Sequence, residues 1–235
     1  MTNKESLTSH LLELRSRIIK VLVCFGVLSI IGIPFSPDIY TFVASPLLEI
    51  LPSGSSMIAT QVTSPLMAPL KLVFFSALLI TMPYLFYEMW MFMSPGLYKK
   101  ERSFVAPLMV STIFLFLSGV AFAYFIVCPI IFKFFIGVAP ESISVMTDIS
   151  QYMNFVIKLI FAFGIAFEIP VATFLLIRSE IVQKETLVNA RPYLIIIFFI
   201  FGMLLTPPDI FSQLFLAIPM WVLFELGLIV SKDKK

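Results

Sequence analysis

The chain has 235 residues, of which 60% are hydrophobic, 15% aromatic and only 13% charged, and its formal net charge is +2. A soluble domain of this length does not need so much apolar surface, and several runs of about 18 or more residues are long enough to cross ~30 Å of hydrocarbon. Composition therefore excludes a soluble globular fold and indicates an all-α, polytopic membrane protein that forms a single integral membrane domain over residues 1–235.

Six apolar runs predict six transmembrane helices, at about 18–35, 70–92, 104–128, 154–177, 192–206 and 211–230. An amphipathic segment, "SHLLELRSRIIKVL", leads into the first helix, and its Glu13 and Arg17 have i,i+4 spacing for an ion pair. After this helix, Ser36 and Pro37 fit the N-cap and first position of an external interfacial helix. Before the fourth helix, Asp148 and Gln151 have capping-box spacing.

The last two helices are expected to be short. Between Arg191 and Asp209 there are 17 uncharged residues, and Pro207 and Pro208 cannot both continue a helix. The helical part is then about 14 residues, or about 21 Å, which is less than the ~30 Å of a bilayer core. Such a pair thins the bilayer locally or shelters against partner helices.

Basic residues predict that both termini are cytoplasmic, because Lys and Arg are enriched in cytoplasmic connectors. Thirteen of the 16 basic residues fall on one side of the predicted membrane: Lys4, Arg15, Arg17, Lys20, Lys99, Lys100, Arg102, Arg178, Lys184, Arg191, Lys232, Lys234 and Lys235. The opposite connectors carry acids instead.

The side chains that catalysis or metal binding would need are missing. His10 is the only histidine, so there is no His pair for zinc and no histidine base for a Ser or Cys nucleophile. Cys24 and Cys128 are predicted near opposite membrane faces, beyond the ~7 Å Cα limit of a disulfide. We therefore expect no enzymatic activity, no metal and no cofactor.

Acidic residues inside the apolar runs are costly and therefore informative. Glu168 lies ten residues from Arg178, roughly 15 Å inside the cytoplasmic end, and Pro170 is expected to bend the helix beside it. Its carboxyl either bonds to a neighbouring helix or forms a polar contact site that faces a cavity, and we favour the second. Lys158, Glu88 and Glu225 lie nearer the helix ends, where we interpret them as snorkelling.

Glu101 stands out in the short basic connector "SPGLYKKER". Its basic neighbours Lys99, Lys100 and Arg102 agree with a cytoplasmic position. An acid in this connector weakens the positive charge that marks it as cytoplasmic, and it gains no attraction from anionic lipid. Topology alone does not account for it.

The whole chain resembles the TatC family, the multispanning subunit of the twin-arginine protein translocase. The resemblance is carried by "HLLELRSR", "SPGLYKKER", "AFAYFIVCP", "AFGIAFEIP", "MLLTPPDIFSQ" and "AIPMWVLFELG", in this order. It implies recognition of twin-arginine signal peptides on the cytoplasmic side and transport of folded proteins across a bacterial inner membrane. Implied partners are single-span TatA/TatB-type proteins in an oligomeric membrane complex, with no nucleic acid.

The resemblance also implies roles for particular residues. Signal-peptide binding falls on Glu13, Leu14, Arg15, Arg17, Phe92, Tyr98 and Glu101. The intramembrane carboxylate of transport is Glu168, and external-loop positions are Pro46, Asp148 and Asp209. Docking of partner helices falls on Met203, Thr206 and Gln213.

Two other readings stay open from the residues alone. An ion-coupled small-solute transporter would use Glu168 as a proton site, although such transporters usually show inverted repeats, and we find none. A passive membrane scaffold would tolerate apolar or amide replacement of both Glu101 and Glu168.

Overall fold

The computed structural model describes residues 2–52, 56–93, 105–138, 146–205 and 210–231, with side chains from His10 onward. Its helices are α1 (Thr2–Gly32), α2 (Ser36–Leu48), α3 (Ser64–Met93), α4 (Val105–Phe122), α5 (Cys128–Val138), α6 (Ile149–Ala166), α7 (Ile169–Arg178), α8 (Lys184–Asn189), α9 (Arg191–Leu205) and α10 (Ile210–Val230). Two short strands, β1 (Met57–Ile58) and β2 (Thr147–Asp148), pair in parallel.

The chain divides into two compact units. The first comprises residues 1–42 and 65–113, and the second comprises residues 43–64 and 114–235. In the first unit α1 comes close to α3, because a Cβ atom added to Gly32 would lie 2.9 Å from Cγ1 of Val73. The α3 side chain of Trp90 is buried and donates from Nε1 to the Thr112 hydroxyl at 3.4 Å.

The second unit is built on helix contacts that glycines permit. Gly119 of α4 is so close to α6 that an added Cβ would lie 2.5 Å from the carbonyl oxygen of Phe163. Gly164 of α6 lies against the ring of Phe116 in the same way. Helix α10 packs against both α7 and α9. Small residues allow such close approach between helices that lack a hydrophobic driving force in lipid.

Prolines explain where helices change type. A 3₁₀ turn at Ile33–Phe35 joins α1 to α2, and it contains Pro34, which lacks the N–H of a regular ladder. Ser36 has helical backbone angles (φ −57°, ψ −37°), whereas an N-cap residue has non-helical ones. The predicted N-cap at Ser36 is therefore wrong, and helix continues from α1 to Leu48. Similarly, a π turn at Ala123–Val127 precedes Pro129 between α4 and α5.

Five helical stretches in the described residues are long and apolar enough to cross a membrane. They are His10–Leu48, Ser64–Met93, Val105–Val138, Ile149–Arg178 and Ile210–Val230. The chain is thus mostly helical and apolar, as expected, while the count of six spans and the orientation of the termini stay predictions.

The expectation of two short final helices is half right. Helix α9 has 15 residues, whereas α10 has 21, which is about 31 Å at the standard rise. The prediction of a short last helix is therefore wrong. Pro219 lies inside α10, so this proline does not shorten the helix.

Candidate functional site

Arg17 binds two carboxylates in the first unit. Its Nε and Nη2 atoms donate to Oε1 of Glu13 at 3.1 and 2.7 Å, and its Nη1 donates to Oε2 of Glu88 at 2.6 Å. The contact to Glu13 is the predicted i,i+4 pair and is confirmed. The contact to Glu88 joins α1 to α3, across 71 positions of sequence. One guanidinium thus links two acids on two helices.

Glu88 is a buried acid, with only 5% of the residue exposed. The Tyr84 hydroxyl, one turn earlier on α3, donates to its Oε1 at 2.8 Å, and the Lys20 ammonium lies 3.9 Å from the same oxygen. A snorkelling residue keeps its charged head in water, so that interpretation of Glu88 is wrong. The sequence offered no signal for this contact, because Arg17 reaches Glu88 only when α1 and α3 are folded together. We call Glu13, Arg17, Lys20, Tyr84 and Glu88 the ion-pair cluster.

A groove with a volume of ≈290 Å³ lies beside the ion-pair cluster. Its walls come from α1 and α3: Leu14, Arg17, Ile18, Val21, Leu22, Leu85, Glu88, Met89 and Phe92. The ring of Phe92 also meets His10 edge-to-face, with 6.1 Å between ring centroids. Seven of the nine lining side chains are apolar, so this α1–α3 groove offers an apolar surface with an arginine and a carboxylate set in it.

The predicted signal-binding residues are partly brought together here. Leu14, Arg17 and Phe92 line the α1–α3 groove, and Glu13 is tied to Arg17. Arg15 is exposed on α1 and is not among the lining residues. Tyr98 and Glu101 lie outside the described residues.

Glu168 lies at an interruption between two helices. Helix α6 ends at Ala166 and α7 begins at Ile169, with Pro170 in its first turn. The helix is thus interrupted beside Pro170, at the place where a bend was expected. Glu168 is half-buried, and its Oε1 atom is buried. Helix α10 passes close by, since Gly227 lies against the backbone of Pro170.

Asp148 organises a loop of the second unit. It is the N-cap of α6, and its Oδ1 accepts from the backbone N–H of Gln151 at 2.9 Å, as its spacing predicted. Its Oδ2 accepts from both the hydroxyl and the backbone N–H of Thr60, at 2.6 and 3.1 Å. These bonds, led by that from the Thr60 hydroxyl, hold the pKa of the Asp148 carboxyl below its ordinary value. Pro46 lies inside α2, and Asp209 is outside the described residues.

Helices α9 and α10 carry two of the three predicted partner-docking residues, Met203 and Gln213. Met203 is 52% exposed on α9, while Gln213 of α10 faces Gly202; Thr206 is not in the described part of the chain. A second groove, of ≈260 Å³, lies between the two helices and is lined by Ile195, Phe199, Ala217, Ile218 and Trp221.

Near the other end of α9, Arg191 donates to Glu225 of α10 at 2.7 Å. Glu225 is therefore an ion-pair partner rather than only a snorkelling residue. Like the contact of Glu88, this pair joins residues far apart in the chain, and the sequence pattern did not show it.

Comparison with known proteins identifies the family. The family model for the Sec-independent protein translocase protein (TatC) matches residues 9–219. The chain belongs to the TatC family.

Relatives and a solved structure agree with this assignment. The chain is 52% identical over 225 residues to the Sec-independent protein translocase protein TatC of Azotobacter chroococcum mcd 1, covering 94% of this chain and 87% of that protein. It is 47% identical to the protein of the same name from Escherichia coli strain K12, covering 97% and 88%. The crystal structure of the twin-arginine translocase receptor TatC superposes with a TM-score of 0.84 at 33% identity, covering 94% of this chain and 97% of that one.

The matched stretch of this TatC-family chain contains the ion-pair cluster, the α1–α3 groove, Glu168 and all of α9. The family consists of protein translocase components, a class of transport protein. This agrees with a membrane protein whose described residues contain several helices apolar enough to span a bilayer.

Proposed function

We propose that this protein recognises twin-arginine signal peptides on the cytoplasmic side of a bacterial inner membrane and supports the transport of folded proteins across it. The observation that carries the proposal is the α1–α3 groove, where Leu14 and Phe92 share an apolar surface with Arg17. Arg17 also holds the carboxylate of Glu13 beside that surface, with 2.7 Å between Nη2 of Arg17 and Oε1 of Glu13. A peptide with arginines next to apolar residues matches both features.

The chemistry of arginine explains why acids suit this role. A guanidinium presents a planar fork of donors that fits a carboxylate, and such charge-assisted hydrogen bonds are about twice as strong as neutral ones. Glu13 and Glu101 supply carboxylates, while Lys99, Lys100 and Arg102 around Glu101 repel cations in general. Only a ligand whose donors match the geometry of the carboxylate then gains binding free energy, and this makes the site selective.

Exposed Arg15 and the connector residue Tyr98 complete the proposed signal-binding surface. For this surface to meet a signal peptide before transport, α1 must begin in the cytoplasm. The concentration of basic residues on one side supports that orientation, with both termini cytoplasmic.

The remaining roles extend the same proposal to transport. Single-span partners of the TatA/TatB type dock on α9 and α10 at Met203, Thr206 and Gln213, and an oligomeric complex forms. Because α9 is only 15 residues long, a partner helix there covers a place where the bilayer is mismatched.

Glu168 acts within the membrane during transport, after the signal peptide has bound.

The external side is organised by Pro46, Asp148 and Asp209. The hydrogen bonds of Asp148 to Thr60 and Gln151 support a structural contribution of Asp148 to that side.

Binding of a twin-arginine peptide to Glu101 variants tests the proposal. Losing a charge-assisted hydrogen bond costs about 1.5–3 kcal/mol, so Glu101→Gln should weaken binding by roughly ten- to a hundredfold. Glu101→Asp should keep part of the affinity, and Glu101→Lys should abolish recognition because like charges then face each other. The assay is fluorescence anisotropy of a labelled peptide with the purified protein, beside the same peptide with both arginines replaced by alanine.

Glu185→Lys is the matched control, since it makes the same charge change on an exposed residue of α8. It should bind the peptide as the unmutated protein does. If Glu101→Lys binds the native peptide with wild-type affinity, then Glu101 does not recognise the arginines of the peptide.

A further inference from the structure

Glu88 is an acid that the proposed recognition of arginine does not use directly. Glu88 lines the α1–α3 groove, but the residue is only 5% exposed, so little of its carboxylate is open to a ligand. Both of its oxygens already have partners, Tyr84 on Oε1 at 2.8 Å and Arg17 on Oε2 at 2.6 Å. A buried carboxylate on a membrane helix is costly, and this one is held by two hydrogen bonds rather than expelled.

The charges of the cluster show what Glu88 contributes. Arg17 would neutralise Glu13 if it were the only partner of that acid, and an incoming arginine would then meet a neutral pair. Glu88 adds a second negative charge on the same guanidinium, so Glu13, Arg17 and Glu88 together carry a net charge of −1. Lys20 offsets this only in part, since its ammonium is 3.9 Å from Glu88 and its side chain is 56% exposed.

The contacts also fix how Glu13 is presented. Both donations from Arg17 to Glu13 end on Oε1, and Oε2 takes part in neither. The Glu13 side chain is 36% exposed. Because Glu88 holds the far end of the guanidinium, Arg17 is fixed from two sides, and these contacts among the described residues leave the second oxygen of Glu13 open to a ligand.

We propose that Glu88 is a positioning and specificity-determining residue for arginine recognition. It holds Arg17 and offsets its charge, with Tyr84 holding Glu88 in turn, so that Glu13, Arg17 and Glu88 together keep a net negative charge beside an arginine of the signal peptide. The inference rests on the proposed function and adds to it a residue on α3 that does not touch the peptide.

The test is binding of the twin-arginine peptide to Glu88→Gln, which keeps the size and the acceptor oxygen of the side chain and removes its charge. Glu13 and Glu88 share one guanidinium and so lie within a Debye length of about 8 Å. We expect a three- to tenfold loss of affinity, about the effect of removing one unit charge near the ligand, and a weaker dependence of binding on salt. Glu88→Asp should restore most of the affinity.

Two controls separate positioning from a general structural effect. The peptide with both arginines replaced by alanine should bind Glu88→Gln and the unmutated protein equally. Glu225→Gln removes the acid of the Arg191 pair, also a 2.7 Å contact between helices, and should leave peptide binding unchanged. Wild-type affinity of Glu88→Gln for the native peptide, or an equal loss for both peptides, would overturn the inference.

A second variant decides the question if Glu88→Gln does not accumulate in the membrane. Lys20→Gln removes the neighbouring positive charge at an exposed position and should tighten binding of the native peptide two- to threefold; unchanged or weaker binding would overturn the inference. The proposed function fails in a different way: the unmutated protein would then bind the native and the alanine peptide equally.

Discussion

Gly227 is the residue that lets α10 approach α7 next to Glu168. A Cβ atom added there would lie 2.9 Å from Cα of Pro170, 2.9 Å from Cβ of Thr173 and 3.2 Å from the carbonyl oxygen of Pro170. None of these atoms can rotate away, because two belong to the backbone and the third is the branch point of its side chain. Gly227→Ala therefore forces α10 and α7 apart beside the interruption that contains Glu168.

The packing cost of Gly227→Ala can be separated from the gain in helix propensity that alanine brings. Overpacking of a close contact costs about 1–3 kcal/mol, whereas replacing a helical glycine by alanine gains about 0.8–1 kcal/mol of helix propensity. Gly26 on α1 is the matched control, because an added Cβ there meets nothing within 4 Å. Both variants gain the propensity, so the difference in their free energies of unfolding is the packing cost, about 1–3 kcal/mol.

Thermal unfolding of the purified variants in detergent measures this difference. For a chain of this size a change of 1 kcal/mol moves the Tm by about 2–4 °C, so Gly227→Ala should melt about 2–12 °C below Gly26→Ala. Equal Tm values for the two variants would refute the close approach of α10 to α7. Enlarging the side chain further, in Gly227→Val, should lower the Tm again.

Four further predictions concern topology, loop, transport and docking. Topology reporters should score cytoplasmic at Lys100 and Lys184 and external at Ser55, Glu141 and Pro208; a cytoplasmic score at Glu141 would contradict the orientation. Because hydrogen bonds lower the pKa of Asp148, its stabilisation of the loop is complete above its ordinary pKa of about 3.9 and is lost as pH falls through the lower folded value. Protection of the Thr60 amide against hydrogen exchange should therefore decrease from pH 5 to pH 2. The Asp148→Asn variant should lack this protection at every pH in that range. Protection that does not change with pH in the unmutated protein would show that the carboxylate does not hold the Thr60 amide. Glu168→Ala should impair transport in a cargo-export assay and keep peptide binding, and a parallel loss of both would assign it to recognition instead. Cysteines at Met203 and Gln213 should crosslink to a single-span partner, and crosslinks confined to α3 and α4 would place the docking surface elsewhere.

Local patterns in the sequence predicted the features that depend on neighbours in the chain. The i,i+4 pair of Glu13 and Arg17 and the N-cap at Asp148 are confirmed, and the helix is interrupted beside Pro170, where a bend was expected. Each depends on residues one to four positions apart, whose distance in space follows from helical geometry. The N-cap at Ser36 failed although it is also local, because Ser36 can equally stand inside a helix and the 3₁₀ turn with Pro34 allows the helix to continue.

Composition and charge alone determined that this is an apolar, helical membrane protein, since a bilayer leaves few other ways to satisfy the backbone. Only the tertiary structure decided the chemistry of Glu88 and Glu225. Their partners Arg17 and Arg191 lie on other helices, 71 and 34 positions away. The physical reason is that a position near a helix end is compatible with both a snorkelling and a paired acid. Which of the two forms depends on the side chain that a neighbouring helix presents, and helical periodicity carries no information about that neighbour.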